Sequence, residues 1–260
     1  MHIKHRNIAW LPVSNGLSGT SFHPVFYALC LDILARLILS STLPAFAQSN
    51  APALPQAAIR YAVIGDSYSC GEGASPMESW PALLTRHLAT NGLSVSLVAN
   101  PAKTGWTTQQ ALDDELPAWK AAKPDFATLQ IGVNDWVQGV DAATFRQHLI
   151  RLLDGMLKVL PDTNRLLIVT IPDFSVTPTG AMFGGGRDIS SGLAGFNKII
   201  QEEALKRRLQ VVDIFPLSKK MRDDRSLIAR DGLHPSAKEY ALWEAVIYPV
   251  AHEQLSKPTR

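Results

Sequence analysis

From Arg60 onward, short apolar runs alternate with longer stretches in which apolar residues recur at helical spacing. The runs lie at 61–64, 95–99, 126–131, 166–171 and 209–214, and each gives way to a polar or glycine-bearing turn. Helical patterns fill the gaps at 79–90, 107–122, 142–160 and 193–208, and a last one at 237–255 closes the chain. Asp141 and Ser236 stand where N-caps belong, while Pro161 and the pair Asn91-Gly92 stop the helices before them. Strand and helix in strict alternation predict an α/β fold with a parallel sheet covered by helices, a doubly wound sandwich of five strands. Such sheets take ligands outside the carboxyl ends of their strands, so chemistry is expected just after the apolar runs.

The first fifty residues differ. Residues 1–6 are basic, 25–43 are largely apolar although Asp32 and Arg36 interrupt them, and Ala45-Phe46-Ala47 has the small-x-small pattern that a signal peptidase reads. Residues 1–47 are therefore expected to be an export leader cleaved after Ala47, placing the protein in the periplasm or outside the cell. Residues 48–58 read as an Ala/Pro-rich linker and 59–260 as the single folded domain. No later segment supplies the roughly 20 uninterrupted apolar residues of a stable membrane span.

A net charge of +2 supplies no basic face for a nucleic acid. Of the two cysteines, Cys30 falls in the leader, so no disulfide framework is expected and Cys70 is a lone packing thiol. Neither a His-Glu-x-x-His pattern nor a cysteine cluster argues for a metal, and no glycine-rich phosphate loop follows the first run, so no cofactor is expected.

The strand ends carry the candidate chemistry. The first run leads into Gly65-Asp66-Ser67-Tyr68-Ser69, which presents a serine after a glycine turn. A serine hydroxyl needs a base to take its proton, and Asp231-Gly232-Leu233-His234 supplies an imidazole with a carboxylate three residues ahead to orient it. His87 and His148 sit inside helical patterns and read as surface or packing residues. The third run ends in Gly132-Val133-Asn134-Asp135, whose asparagine amide can stabilise a developing oxyanion, and Gly105 after the second run can offer a backbone N–H.

In order and spacing these four blocks resemble those of the SGNH or GDSL hydrolases, over residues 60 to about 250. Tyr68 stands where the usual Gly-Asp-Ser-Leu has leucine. The resemblance implies a flavodoxin-like three-layer α/β/α sandwich with a five-stranded parallel sheet, and hydrolysis of carboxylic esters through an acyl-enzyme. It implies Ser67 as nucleophile, His234 as base and Asp231 as its orienter. The implied oxyanion hole combines the N–H groups of Ser67 and Gly105 with the Asn134 side chain. The substrate is then a small-molecule, lipid or carbohydrate ester. An acyltransferase or carbohydrate O-deacetylase on the same machinery, and a non-catalytic binding module, are the competing readings. Residues 173–190, with Phe174, Met182, Phe183, Gly184 to Gly186 and Arg187, are expected to line or cover the pocket. Phe183, Trp106 and Trp136 are the candidate substrate contacts.

Overall fold

The computed structural model describes residues 58–257. The expected leader 1–47 with Cys30, and the expected linker 48–58 apart from Ala58, lie outside them.

Five strands form one sheet, β1 (Ile59–Gly65), β2 (Val95–Ala99), β3 (Phe126–Gln130), β4 (Leu166–Val169) and β5 (Gln210–Val212). Every neighbouring pair is parallel and the spatial order is β2-β1-β3-β4-β5. This is the expected five-stranded α/β sandwich. All of β3 and β4 is buried, because helices cover both faces of the sheet, and that is why these strands read as largely apolar runs, with Thr128 and Gln130 the buried polar positions of β3. Ile131, Ile171 and Ile214, which the runs included, lie past the strand ends yet remain buried. Apolar character marks burial there, while pairing stops a residue or two earlier.

The helices are α1 (Ser67–Cys70), α2 (Trp80–Thr90), α3 (Thr108–Gln110), α4 (Leu116–Ala121), α5 (Val133–Val137), α6 (Ala142–Leu157), α7 (Ile189–Lys206), α8 (Phe215–Ser218) and α9 (Ala237–Ser256). Helix α2 packs against α9, and α6 against both α4 and α7. Asp141 and Ser236 cap α6 and α9 as expected, their side chains accepting first-turn N–H groups. Helix α7 begins four residues earlier than its apolar pattern, because Asp188 accepts from Ser191 N at 3.0 Å and starts the helix there. The stretch expected as one helix at 107–122 is broken: a π-helical turn, Ala111–Glu115, separates α3 from α4. Pro117 has no N–H to continue an α ladder across this point. The wide turn carries Glu115 into the interior, where it is fully buried.

Candidate active site

β1 ends at Gly65 and α1 begins two residues later with Ser67, so the nucleophile candidate stands at the carboxyl edge of the sheet. Asp66 makes the turn: its backbone is extended and its carboxylate caps α1 by accepting from Tyr68 N at 3.1 Å. Gly65 is required by space, since a Cβ there would run into the Ser69 side chain and come within 2.9 Å of Gln130 O. Its N–H donates to Glu115 Oε2 at 2.9 Å, so the π turn holds the nucleophile turn from beneath. Both buried acids titrate high. Burial, with the charge of Asp135 adding, pushes Asp66 up to about 8, and burial with the charge of Asp66 adding pushes Glu115 up to about 8.

The loop before α9 carries the base candidate. His234 Nδ1 lies 2.6 Å from Asp231 Oδ2, so an Nδ1–H donates to the carboxylate and Nε2 is left as the proton acceptor. Asp231 Oδ1 accepts the N–H groups of Leu233 at 2.8 Å and of His234 at 3.0 Å. Partial burial pushes this carboxyl up, but those two N–H groups and the imidazole outweigh it and hold the carboxyl below its ordinary value. Thr179 fixes the loop from outside, donating N–H to Gly232 O at 3.0 Å and its hydroxyl to Asp231 O at 3.1 Å. Gly73, with φ +90°, fits under the loop, where a Cβ would stand 2.6 Å from Pro235 O and 2.7 Å from the Ala229 Cβ. The Tyr68 ring lies edge-on to His234, with centroids 6.0 Å apart.

Opposite this loop, α5 and residues 105–108 form one hydrogen-bonded unit. Asn134 Nδ2 donates to Trp106 O at 2.9 Å, and Gln138 Nε2, from just past the helix, donates to Gly105 O at 3.1 Å. Asp135 accepts the Thr108 N–H at 2.9 Å and the Thr108 hydroxyl as well. Asn134 therefore spends one amide hydrogen on the loop that carries Gly105 and keeps the other for the cleft.

Ser67, Asn134 and His234 line one cleft of about 70 Å³ that opens to solvent. The rest of its wall is Tyr68, Val133, Val137, Phe174, Phe183 and Leu233. Of the three candidate substrate contacts, Phe183 is on that wall. Trp136 and Trp106 are not among its lining residues. Trp136 is buried behind the cleft between Arg187, whose guanidinium carbon lies 4.1 Å from the ring, and Gly192, where a Cβ would strike the indole. It is two residues from Asn134, and positions so spaced on a helix point to different faces. Trp106 reaches the site through its carbonyl, while its ring packs 4.5 Å under Lys103 Nζ. The wall residues Val133 and Val137 carried no motif of their own; spacing by one helical turn around Asn134 was the signal for them.

The remaining candidates sit elsewhere. His87 pairs with Glu244 at 2.8 Å and stacks on Tyr248, and His148 meets Thr108 at 3.2 Å. The Cys70 thiol donates to Ser67 O at 3.4 Å, and burial raises its pKa. Among the described residues no cluster of three or more His, Cys, Asp or Glu could hold a metal ion, and no helix is long and apolar enough to cross a membrane.

The sequence pattern of the GDSL-like lipase/acylhydrolase family matches residues 63–242. A multidomain esterase of Ruminococcus flavefaciens is 30% identical over 125 residues, covering 46% of this chain and 15% of that protein. Esterase TesA of Pseudomonas aeruginosa is 35% identical over 88 residues, 34% of this chain and 43% of that one. The matches thus span less than half of either relative. A crystal structure of the lipase/acylhydrolase from Enterococcus faecalis superposes with a TM-score of 0.62 at 24% identity, over 78% of this chain and 99% of the other, and shows the same fold.

Proposed function

The chain belongs to the GDSL-like lipase/acylhydrolase family, and from that premise we propose that it is a serine ester hydrolase working through an acyl-enzyme on Ser67. The observation that carries the reading is that Ser67, Asn134 and His234, from three distant parts of the chain, line one cleft with Asp231 bonded behind the imidazole. The ester carbonyl oxygen takes the second Asn134 amide hydrogen and the N–H groups of Gly105 and Ser67. As Ser67 Oγ bonds to the carbonyl carbon, its proton passes to His234 Nε2; the imidazolium, held by Asp231, then protonates the departing alkoxide. Water repeats the cycle from the acyl-enzyme, releasing the acid and restoring Ser67. The cleft lining contains no lysine or arginine, which supports a neutral acyl group rather than a charged one.

A p-nitrophenyl ester assay and labelling by a fluorophosphonate test the proposal. Wild type is expected to turn over ester and to be labelled on Ser67, and Ser67→Ala to lose on the order of 10⁴ to 10⁶ in rate. Undiminished turnover by the variant refutes Ser67 as nucleophile; no labelling of folded wild type refutes the enzyme. On the leader pattern at 1–47 we also propose that the enzyme is exported. Mass spectrometry of protein recovered outside the cytoplasm would then find an N-terminus at Gln48, and full-length chain confined to the cytoplasm would contradict it.

A further inference from the structure

Residues 173–190 leave β4 and return as α7, and both ends of this excursion are tied to one buried carboxylate. Asp173 accepts from Ser175 N at 3.0 Å and from the Ser190 hydroxyl at 2.6 Å. Thr179, midway, is bonded to the His234 loop. The distal part has a different anchor, Arg187. Its Nη1 donates to Trp136 O at 2.7 Å, its Nη2 to Val137 O at 3.0 Å and its Nε to Gly184 O at 3.1 Å, with the guanidinium over the Trp136 ring. Those first two carbonyls belong to the last residues of α5, the helix that carries Asn134 and Val137 on the cleft wall. One side chain thus joins the loop to α5 by two bonds of a planar fork, while its third bond closes on the loop itself.

The tip of the segment that this fork secures is exposed at Gly185 and Gly186. Gly185 and Gly186 have φ of +56° and +79°, and no atom lies within 4 Å of where their Cβ atoms would be. Just before them, Phe183 meets Phe174 edge-on at 6.3 Å and is 38% exposed, half in the cleft and half in solvent. The cleft that it bounds holds about 70 Å³, well below the range of about 300 to 1,000 Å³ for ligand pockets.

We propose that Arg187 is a positioning residue that sets the acyl-length limit: by latching the glycine-rich loop to α5 it holds Phe183 across the cleft, so that only short neutral acyl groups fit. The proposal rests on the ester-hydrolase reading and deepens it. With the latch in place, acetyl and butanoyl groups enter and an octanoyl chain meets the Phe183 ring. Without it, the glycine tip relaxes outward and the long chain gains room.

Initial rates on p-nitrophenyl acetate, butyrate and octanoate, for wild type, Arg187→Ala, Arg187→Lys and Phe183→Ala, decide the matter. Wild type is expected to favour the two short esters. In Arg187→Ala the ratio of kcat/KM for octanoate to that for acetate should rise about tenfold, through KM rather than kcat. Arg187→Lys, which keeps the charge but not the fork, should fall between. Phe183→Ala should reproduce the shift with the latch intact, and it decides alone should Arg187→Ala not fold. Equal loss on all three esters in Arg187→Ala, or an unchanged ratio in Phe183→Ala, overturns the latch while leaving ester hydrolysis standing. A wild type that cleaves none of the esters overturns the parent reading instead.

Discussion

Gly73 and His234 lie so close that a Cβ added to the glycine would stand 3.1 Å from the Cβ of the histidine. The segment just after α1 is therefore pressed against the loop that bears His234, and the contact exists only because residue 73 has no side chain. Its φ of +90° adds a second demand for glycine. Gly73→Ala is expected to lose about 1–3 kcal/mol of stability in urea unfolding. Its kcat should fall as well, because relief of the clash moves His234 away from Ser67. A variant with wild-type kcat would show that the two halves of the site are not coupled here.

Asp231 holds the His234 tautomer with one oxygen and the loop with the other. Asp231→Asn keeps an acceptor for the two backbone N–H groups but can turn an amide N–H toward Nδ1, which favours the wrong tautomer. The expected loss in kcat is on the order of 10⁴ with the thermal midpoint little changed. Near-normal turnover would remove Asp231 from the mechanism.

Asn134→Ala removes a donor from the cleft and leaves Trp106 O without its 2.9 Å partner. The expected cost is about 10² to 10³ in kcat with KM much less affected, because the lost hydrogen bond strengthens as charge develops on the oxygen. A loss confined to KM would mean that Asn134 binds substrate without stabilising the transition state.

Glu115 makes stability depend on pH. The free side chain ionises near 4.5, whereas burial holds it up to about 8 in the fold. Between those values the folded state keeps a proton that the unfolded chain has shed, so stability falls as pH rises and levels off above about 8. A full proton difference is worth about 1.4 kcal/mol per pH unit. Asp66, raised from 3.8 to about 8, acts in the same direction. Glu239, raised from 4.5 to about 7 by burial, adds to it. Glu115→Gln keeps an acceptor for the Gly65 N–H and removes one of these protons, so its slope of stability against pH between 5 and 7.5 should be shallower than that of wild type by up to about 1.4 kcal/mol per pH unit, and it should exceed wild type at pH 8. Urea unfolding across that range measures both quantities; an unchanged slope would mean that Glu115 is ionised in the fold.

The sheet was legible because β3 and β4 are buried from end to end, so that β4 is wholly apolar and β3 is apolar apart from Thr128 and Gln130. The break at 111–115 was not, because Leu112, Leu116 and Trp119 keep a helical rhythm across a π turn whose cause is a missing N–H at Pro117. At the site, the serine, asparagine and Asp-x-x-His blocks could be found because turn chemistry ties each to a strand end or a cap. Trp136 could not be placed from its nearness to Asn134, since helical rotation sends it into the core. Nor could Arg187 be assigned a partner, because carbonyl acceptors such as Trp136 O leave no mark on a sequence.

Ser67 ends the first strand's turn, while His234 immediately precedes α9, the last helix described. A ribosome that has finished all five strands has made the proposed nucleophile and all three proposed oxyanion donors but no base. Under the proposed mechanism a nascent chain turns over no ester until α9 has emerged and packed onto α2.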